Sequence, residues 1–224
     1  MPEGLEAELY RRAAGATVGR VIERVIVDER QPASGELGAL LPGVTFGSAR
    51  RIGKVVLLDL DRNAAADTLG LHFGMTGRLV VDGDGPIQTL EYSSARDDPT
   101  WDRLVIVFGD GGTMRVNDPR RWARFDLDPP TDRLGPDFLH VTADHLLGVF
   151  ARRRAAVKAV LLDQAVVAGY GNMTVDEVLW QIGLSPLTPA REVPVDVVER
   201  LTAFAPTHLL EMLDHGGSHR GTID

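Results

Sequence analysis

Between residues 20 and 127 the chain contains eight short, β-branched runs whose connections are mostly too short to hold a helix. This feature limits the fold most, because parallel neighbouring strands need a crossover of a dozen or more residues. We therefore expect largely antiparallel pairing, in a sandwich or a barrel. Longer loops are expected at 28–42 and 82–100. The predicted strands are residues 20–27, 44–50, 55–60, 68–73, 78–81, 104–108, 113–116 and 123–127.

A helix is predicted before the strands, and a helical region after them. Leu5, Leu9 and Ala13 recur every four residues within 3–14, which is typical of a short amphipathic helix. The composition changes at the Asp-Pro-Pro-Thr-Asp segment 128–132. Helical patterns follow at 143–150, 155–163, 175–182 and 195–213, the last expected to break or kink at Pro206. The predicted class is α+β, with a β-rich domain over 1–130 and a helical domain over 131–224.

The composition excludes several classes of protein. The 224 residues include no cysteine, which excludes disulfides, thiol nucleophiles and thiolate zinc sites. No apolar run approaches the ~20 residues that span a bilayer, and the acidic N-terminus is unlike a secretion signal. We therefore expect a soluble cytoplasmic protein. The formal charge of −8 argues mildly against binding a polyanion, but the placement of the basic residues matters more.

The N-terminus itself is a candidate reactive group. Loss of Met1 leaves Pro2 with a secondary amine, and an α-amino group titrates near ~8. Such an amine can attack a carbonyl-like carbon and form an iminium, with Glu3 beside it to move protons. The alternative interpretation is a proline that opens a helix, followed by acids that suit the helix dipole. Taken alone, that structural interpretation is favoured.

Two loops carry residues typical of nucleic-acid contact. Residues 72–79 form a glycine-bounded turn that presents Met75 at its tip, beside His72. An exposed methionine can wedge between bases, although a core methionine in a β-turn is the simpler interpretation. Residues 117–122 place Arg120 and Arg121 next to Trp122, a set suited to phosphate contact and stacking. A salt bridge between Asp118 and Arg120 is the structural alternative.

The chain has only two lysines, Lys54 and Lys158, among 24 basic residues of the Lys and Arg type. Lys54 has two interpretations. Either its compact ammonium group is needed for function, or it is a solvated lysine at a strand edge. Lys158 follows three arginines, and a solvated helix face explains that segment equally well. Further on, Thr174 and Glu177 predict a capping box, and the helix start with Asn172 predicts an anion seat. The Gly-Tyr-Gly before it allows a close backbone approach.

These segments, in this order, resemble the formamidopyrimidine-DNA glycosylase / endonuclease VIII family of bifunctional DNA repair enzymes. The resemblance covers nearly all of residues 1–217. It rests on Pro-Glu-Gly-Leu-Glu at 2–6, His-Phe-Gly-Met-Thr-Gly-Arg-Leu at 72–79, Asp-Pro-Arg-Arg-Trp at 118–122, Leu-Gly-Pro-Asp at 134–137 and the stretch 161–179 that ends before Gly-Leu-Ser-Pro.

The resemblance implies an antiparallel β-sandwich with an N-terminal helix, a helix–two-turns–helix domain, and damaged double-stranded DNA in the cleft between them. It implies that Pro2 is the Schiff-base nucleophile, Glu3 the acid/base and Glu6 a supporting carboxylate. Lys54 is counted with these catalytic residues and also as a phosphate ligand. The other implied phosphate ligands are His72, Arg121 and Asn172, with Lys158 added from its charge. Met75, Arg120 and Trp122 would fill the gap left by a flipped base.

The implied reaction is removal of an oxidised base by attack of Pro2 on the sugar, followed by cleavage of the backbone on both sides by elimination. A rival hypothesis is a catalytically silent relative that binds bent or abasic DNA. A third is an unrelated hydrolase that uses Glu3 and Glu6 as paired carboxylates. We expect a monomer that makes no membrane contact.

The sequence also departs from the family pattern. The family continues into a four-cysteine zinc finger or a metal-free hairpin, whereas this sequence ends at Asp224 without a cysteine. We therefore expect no cofactor and no zinc site, because the chain is either cut short or a relative without the finger. Leu5 replaces a family proline, Thr174 stands where many members carry tyrosine, and Trp122 replaces phenylalanine.

Overall fold

The computed structural model describes residues 2–32, 34–61, 66–87, 90, 94 and 96–218. Met1, parts of the predicted 82–100 loop and residues 219–224 of the tail lie outside the described residues. The chain divides into two compact units. One comprises Met1–Pro2 and Glu6–Pro130, and the other comprises Glu3–Leu5 and Thr131–Asp224.

The first unit contains two four-stranded antiparallel sheets, with strand orders β1-β6-β7-β5 and β2-β3-β4-β8. The predicted antiparallel architecture is confirmed, and the strand ends that differ from prediction do so by one or two residues. The strands are β1 (Ile22–Val27), β2 (Phe46–Ile52), β3 (Val55–Leu60), β4 (Thr68–His72), β5 (Arg78–Val81), β6 (Asp102–Phe108), β7 (Thr113–Asn117) and β8 (Arg124–Leu127).

Alternation of apolar residues builds one core between the sheets. In β6, Leu104, Ile106 and Phe108 are all buried, because every second side chain points to the same face. Phe108 meets Phe46 of the other sheet edge to face, with ring centroids 6.2 Å apart. The two sheets therefore pack face to face as a sandwich, and the α+β class is confirmed.

Two helices accompany the sandwich. The predicted N-terminal helix is α1 (Gly4–Ala14), from which Ala7, Tyr10 and Ala14 enter the core. A second helix, α2 (Ser34–Leu40), lies within the segment predicted to be a loop. Two glycines in this short helix weaken its intrinsic preference, so burial of Leu37 in the core stabilises it instead.

The second unit contains four α-helices over its described residues. They are α3 (Ala143–Phe150), α4 (Val157–Leu161), α5 (Asn172–Gln181) and α6 (Val195–Asp214). α4 and α5 are joined through a segment of turns, which Gln164 braces. Its side-chain amide nitrogen donates to the carbonyls of Leu162 and Tyr170, and its oxygen accepts from the Gly169 amide. This is the predicted helix, two turns and helix.

Two details of this unit differ from prediction. α6 continues as one helix through Pro206, so the predicted break is absent. Its buried apolar stripe outweighs the one lost backbone hydrogen bond. α5 begins at Asn172, three residues before the predicted start, so Thr174 is its third residue rather than its N-cap. Among the described residues, no helix combines the length and apolar character needed to cross a membrane.

The proline inside α6 provides a test of the fold. We expect Pro206→Ala to raise the free energy of unfolding by about 1–3 kcal/mol, because it restores a helical N–H donor. Ala203→Pro, an exposed change in the same helix, should lower it by about 3 kcal/mol. Urea denaturation followed by circular dichroism measures both. A loss of stability in Pro206→Ala would show that the ring is needed for packing.

Candidate functional site

One buried carboxylate joins the two loops predicted to contact DNA. Asp118 is fully buried, and its Oδ2 accepts hydrogen bonds from the backbone amides of Trp122 at 2.6 Å and Ala123 at 2.8 Å. Its Oδ1 accepts from the Arg120 amide at 3.1 Å and from the Thr76 hydroxyl. Residues 117–122, the arginine–tryptophan loop, and residues 72–79, the methionine turn, are therefore bonded to the same buried side chain.

The methionine turn lies directly against that loop. Gly74 has a φ of +59°, and a Cβ atom there would lie 2.7 Å from the backbone of Trp122. Only glycine allows this approach, because a side chain would have to displace backbone atoms. Met75 at the tip is half-buried, and Trp122 is 53% exposed. The structure thus brings Met75 and Trp122, two of the three residues predicted to fill the gap, to neighbouring loops.

Helix α1 fixes the same turn from the core side. The Tyr10 hydroxyl donates to the carbonyl of Gly77 at 3.1 Å, and its ring centroid lies 4.4 Å from that of Phe73. Burial raises the pKa of Tyr10 well above its usual value, and the charge of Glu6 raises it further. Tyr10 therefore remains a neutral donor. Glu6, the predicted supporting carboxylate, is itself fully buried in α1.

The two loop arginines have different environments. Asp118 accepts from the backbone amide of Arg120, so the alternative interpretation, a side-chain salt bridge between them, is wrong. The Arg120 guanidinium makes no ion pair among the described residues. Arg121 has a φ of +60°, an uncommon conformation for a side-chain-bearing residue. Its Nε lies 3.6 Å from Oδ2 of Asp28, which also accepts from the buried Arg103 at 2.9 Å.

Asp28 is a site residue that sequence reasoning missed. Although burial opposes ionisation, hydrogen bonds from the Arg30 amide and Arg103 and the charge of Arg121 hold the pKa of Asp28 below its usual range. Asp28 lies in a segment predicted only as a loop, 75 residues before Arg103 and further still before Arg121. Nothing in the local sequence indicated this pairing.

A cleft of about 590 Å³ opens in the first unit beside these loops. Its charged lining consists of three arginines and one aspartate, although the chain as a whole carries a formal charge of −8. Such a local excess of positive charge suits an anionic ligand. The residues that define its character are Arg30, His72, Met75, Arg121, Trp122 and Arg124.

His72 enters this cleft as a neutral ring. Burial first, and then the charges of Arg124 and Lys54, lower its pKa below the usual value of 6.5. Its Nδ1 lies 3.2 Å from the Gly74 amide and accepts its hydrogen bond, so the ring proton is on Nε2. Lys54 lies in the β2–β3 turn, next to Val55, which pairs with His72 across the sheet. The two predicted phosphate ligands are therefore close.

In the second unit, the start of α5 is occupied by Glu3. The Glu3 carboxylate accepts from the amides of Met173 and Thr174, both at 3.0 Å, and from the Thr174 hydroxyl at 2.6 Å. The predicted anion seat therefore exists, but its occupant is a carboxylate of the chain rather than a phosphate. The predicted capping box is wrong, because Glu177 lies instead within 3.0 Å of His208 and Gln181.

The remaining predicted residues lie on α4, at the start of α5 and at the N-terminus. Asn172, the first residue of α5, is exposed. Lys158 of α4 pairs with Asp176 of α5 at 2.8 Å, which ties the two helices together. Pro2 is buried. The described residues include no group of three or more His, Asp or Glu side chains that could hold a metal ion, and the sequence has no cysteine.

The role of Asp118 can be tested through stability. Asp118→Asn replaces one acceptor oxygen by an amino group that faces N–H donors. We expect a loss of about 3 kcal/mol in the free energy of unfolding, since buried donors lose a charged acceptor. Asp126→Asn, an exposed change nearby, should alter it by less than about 0.5 kcal/mol. Equal losses in chemical denaturation would contradict the role assigned to Asp118.

The lowered pKa of His72 predicts a pH effect on stability. The unfolded chain binds a proton near pH 6.5, whereas the folded chain resists it. The stability from the neutral ring is complete above about pH 6.5 and is lost as the pH falls towards the lower folded pKa. His72→Asn, which keeps an acceptor near Nδ1, should lose less stability between pH 7.5 and 5.5. Parallel pH profiles in thermal melts would exclude this contribution.

Comparison with known proteins identifies the family. Residues 1–125 match the formamidopyrimidine-DNA glycosylase N-terminal domain, and residues 134–222 match the formamidopyrimidine-DNA glycosylase H2TH domain. The formamidopyrimidine-DNA glycosylase of Geobacter metallireducens is 36% identical, over 98% of this chain and 82% of that protein. The protein of the same name from Xanthomonas campestris is also 36% identical, over 97% and 80%.

Solved structures agree with this result. The MutM (Fpg) protein from Thermus thermophilus superposes with a TM-score of 0.77 at 27% identity, over 96% of this chain and 77% of that one. Lactococcus lactis Fpg, in its complex with DNA that contains an abasic site, shares the fold with a TM-score of 0.79 at 22% identity, over 99% and 82%. The sandwich, the helix–two-turns–helix unit and both domain matches show that this chain belongs to the formamidopyrimidine-DNA glycosylase family.

Proposed function

We propose that this chain is a DNA glycosylase of base excision repair that removes oxidised bases from duplex DNA and cleaves the resulting abasic site. The names of its relatives and the abasic-site DNA bound by Lactococcus lactis Fpg support the substrate class. The observation that carries the proposal is Glu3. This residue follows the candidate nucleophile directly and is held by three hydrogen bonds at the start of α5.

The chemistry needs an amine and a carboxylate. After removal of Met1, the secondary amine of Pro2 attacks C1′ of the damaged nucleotide and forms a C–N bond while the C–N bond to the base breaks. The amine loses its proton, and the departing base takes one up. Ring opening then breaks the C1′–O4′ bond, O4′ takes up a proton, and the C1′–N bond becomes an iminium. The iminium acidifies the neighbouring sugar protons, and successive eliminations expel the 3′ and 5′ phosphates. We assign the proton transfers and sugar-ring opening to Glu3, with Glu6 as a supporting carboxylate.

The joined loops of the first unit supply the means to extrude a base. Extrusion costs a few kcal/mol, and side chains that enter the vacated space recover part of it. Met75, Arg120 and Trp122 lie on the two loops that Asp118 ties together. A wedge assembled before binding loses little entropy when DNA arrives, which favours this role.

The positive charge of the cleft beside these loops suits contacts to DNA phosphates. The cleft beside the loops contains Arg121 and His72, with Lys54 in the adjoining turn. A neutral His72 contributes Nε2–H as a hydrogen-bond donor without adding charge. In the second unit, Asn172 and Lys158 are the proposed ligands, and Lys158 would exchange or share its partner Asp176. Lys and Arg contacts of this kind make affinity fall with salt.

The chief rival is a relative that binds abasic or bent DNA without chemistry. It uses the same loops and cleft and does not need a free Pro2 amine. The hypothesis of an unrelated hydrolase with paired carboxylates is not favoured, because the arginine–tryptophan loop has no part in it and both domains match the formamidopyrimidine-DNA glycosylase family. The two DNA-binding functions are separated by the covalent intermediate.

The covalent intermediate is the decisive test. Protein that lacks Met1 should form a borohydride-stable adduct with a duplex carrying an abasic site and release the base from one carrying a formamidopyrimidine. The matched control keeps an N-terminal extension, because an amide nitrogen at Pro2 cannot attack. Mass spectrometry of the intact protein verifies both termini. Tight binding without an adduct from the processed form would establish the silent relative instead.

A further inference from the structure

The N-cap position of helix α5 provides no side chain that could accept from the first amides of the helix. Its N-cap is Gly171, which has an extended backbone and no side chain to accept from the first amides. A helix start leaves N–H groups unpaired unless an acceptor reaches them. Glu3, 170 residues earlier in the chain, supplies the acceptor for Met173 and Thr174.

The third residue of α5 contributes more than its backbone. The Thr174 hydroxyl oxygen lies 2.6 Å from Oε2 of Glu3, 3.0 Å from the Gly171 nitrogen and 3.3 Å from the Gly171 oxygen. A hydroxyl has one proton to donate, and the short contact to a carboxylate receives it. Thr174 therefore donates to Glu3 and accepts from the Gly171 amide. Its side chain and that of Glu3 are both buried.

Gly171 leaves the space that this arrangement needs. A Cβ atom there would lie 2.1 Å from Cδ and 2.3 Å from Oε1 of Glu3. The Glu3 carboxylate therefore packs directly on the Gly171 backbone before α5. The Thr174 hydroxyl, in the first turn of the helix, donates to its Oε2. The hydroxyl adds a third, shorter hydrogen bond to Glu3, on the Oε2 atom that also accepts from the Thr174 amide, in a buried setting.

We propose that Thr174 is a positioning residue for Glu3, which it orients through the hydroxyl bond for proton transfer. The assignment rests on the proposed function, in which Glu3 is the acid/base. Serine retains the hydroxyl, and valine replaces it by a methyl group of similar volume. The Thr174 hydroxyl thus donates to a carboxylate in addition to capping the Gly171 amide of its own helix.

Kinetic measurements test the role in the reaction. Thr174→Val should lower the single-turnover rate of strand cleavage at an abasic site by on the order of tenfold to a hundredfold, because a displaced acid/base loses its alignment. The dissociation constant for the same duplex should change by less than about threefold. Thr174→Ser should recover most of the rate. Thr202→Val, the same substitution in α6, should leave the rate unchanged.

A second measurement does not depend on activity. In a double-mutant cycle of Thr174→Val and Glu3→Gln, the combined effect on the unfolding equilibrium constant should fall short of the product of the single effects by about tenfold. Independent effects, or an unchanged cleavage rate in Thr174→Val, would overturn the proposal. If the wild-type protein forms no adduct but the cycle shows coupling, the proposed function fails while the bond between Thr174 and Glu3 stands.

Discussion

A carboxylate that leaves water must find hydrogen-bond donors, and both units of this protein are organised by that requirement. In the first unit Asp118 collects the amides of a tight loop together with the Thr76 hydroxyl. In the second, Glu3 collects the first amides of α5 together with the Thr174 hydroxyl. In each case a buried acid satisfies backbone groups at a turn or a helix start, and a threonine supplies the side-chain donor.

The Asp118 cluster explains how residues proposed to contact DNA can lie on loops whose backbone is firmly held. Met75, Arg120 and Trp122 project from segments whose backbone atoms are bonded to one buried group. Arg121 has a positive φ, which is unfavourable for a residue with a side chain, and Asp28 pairs with its guanidinium. Strain of this kind persists where the surroundings over-determine the conformation. The positive cleft is therefore a built feature of an otherwise acidic chain.

The sequence predicted the architecture well because alternation and periodicity are local signals. The strand runs and the apolar spacing of α1 needed no knowledge of distant residues. The failures have a common cause. Thr174 was interpreted as an N-cap because hydroxyl residues prefer that position, yet the acceptor for α5 comes from Glu3. The alternative interpretation of Asp118 gave it a guanidinium partner, but its donors are three backbone amides and the Thr76 hydroxyl, which no residue pattern reveals. The roles of Pro2, Lys54 and Asn172 remain predictions.

The bond between residue 3 and residue 174 also bears on how the chain is made. The N-terminal segment leaves the ribosome first, but the amides that donate hydrogen bonds to the Glu3 carboxylate emerge some 170 residues later. The sandwich has all its strands well before that moment, so it can form while the extreme N-terminus is still undocked. Closing so long a loop is entropically costly. Glu3 thus reaches its hydrogen-bond partners at α5 only after every strand of the sandwich has been synthesised.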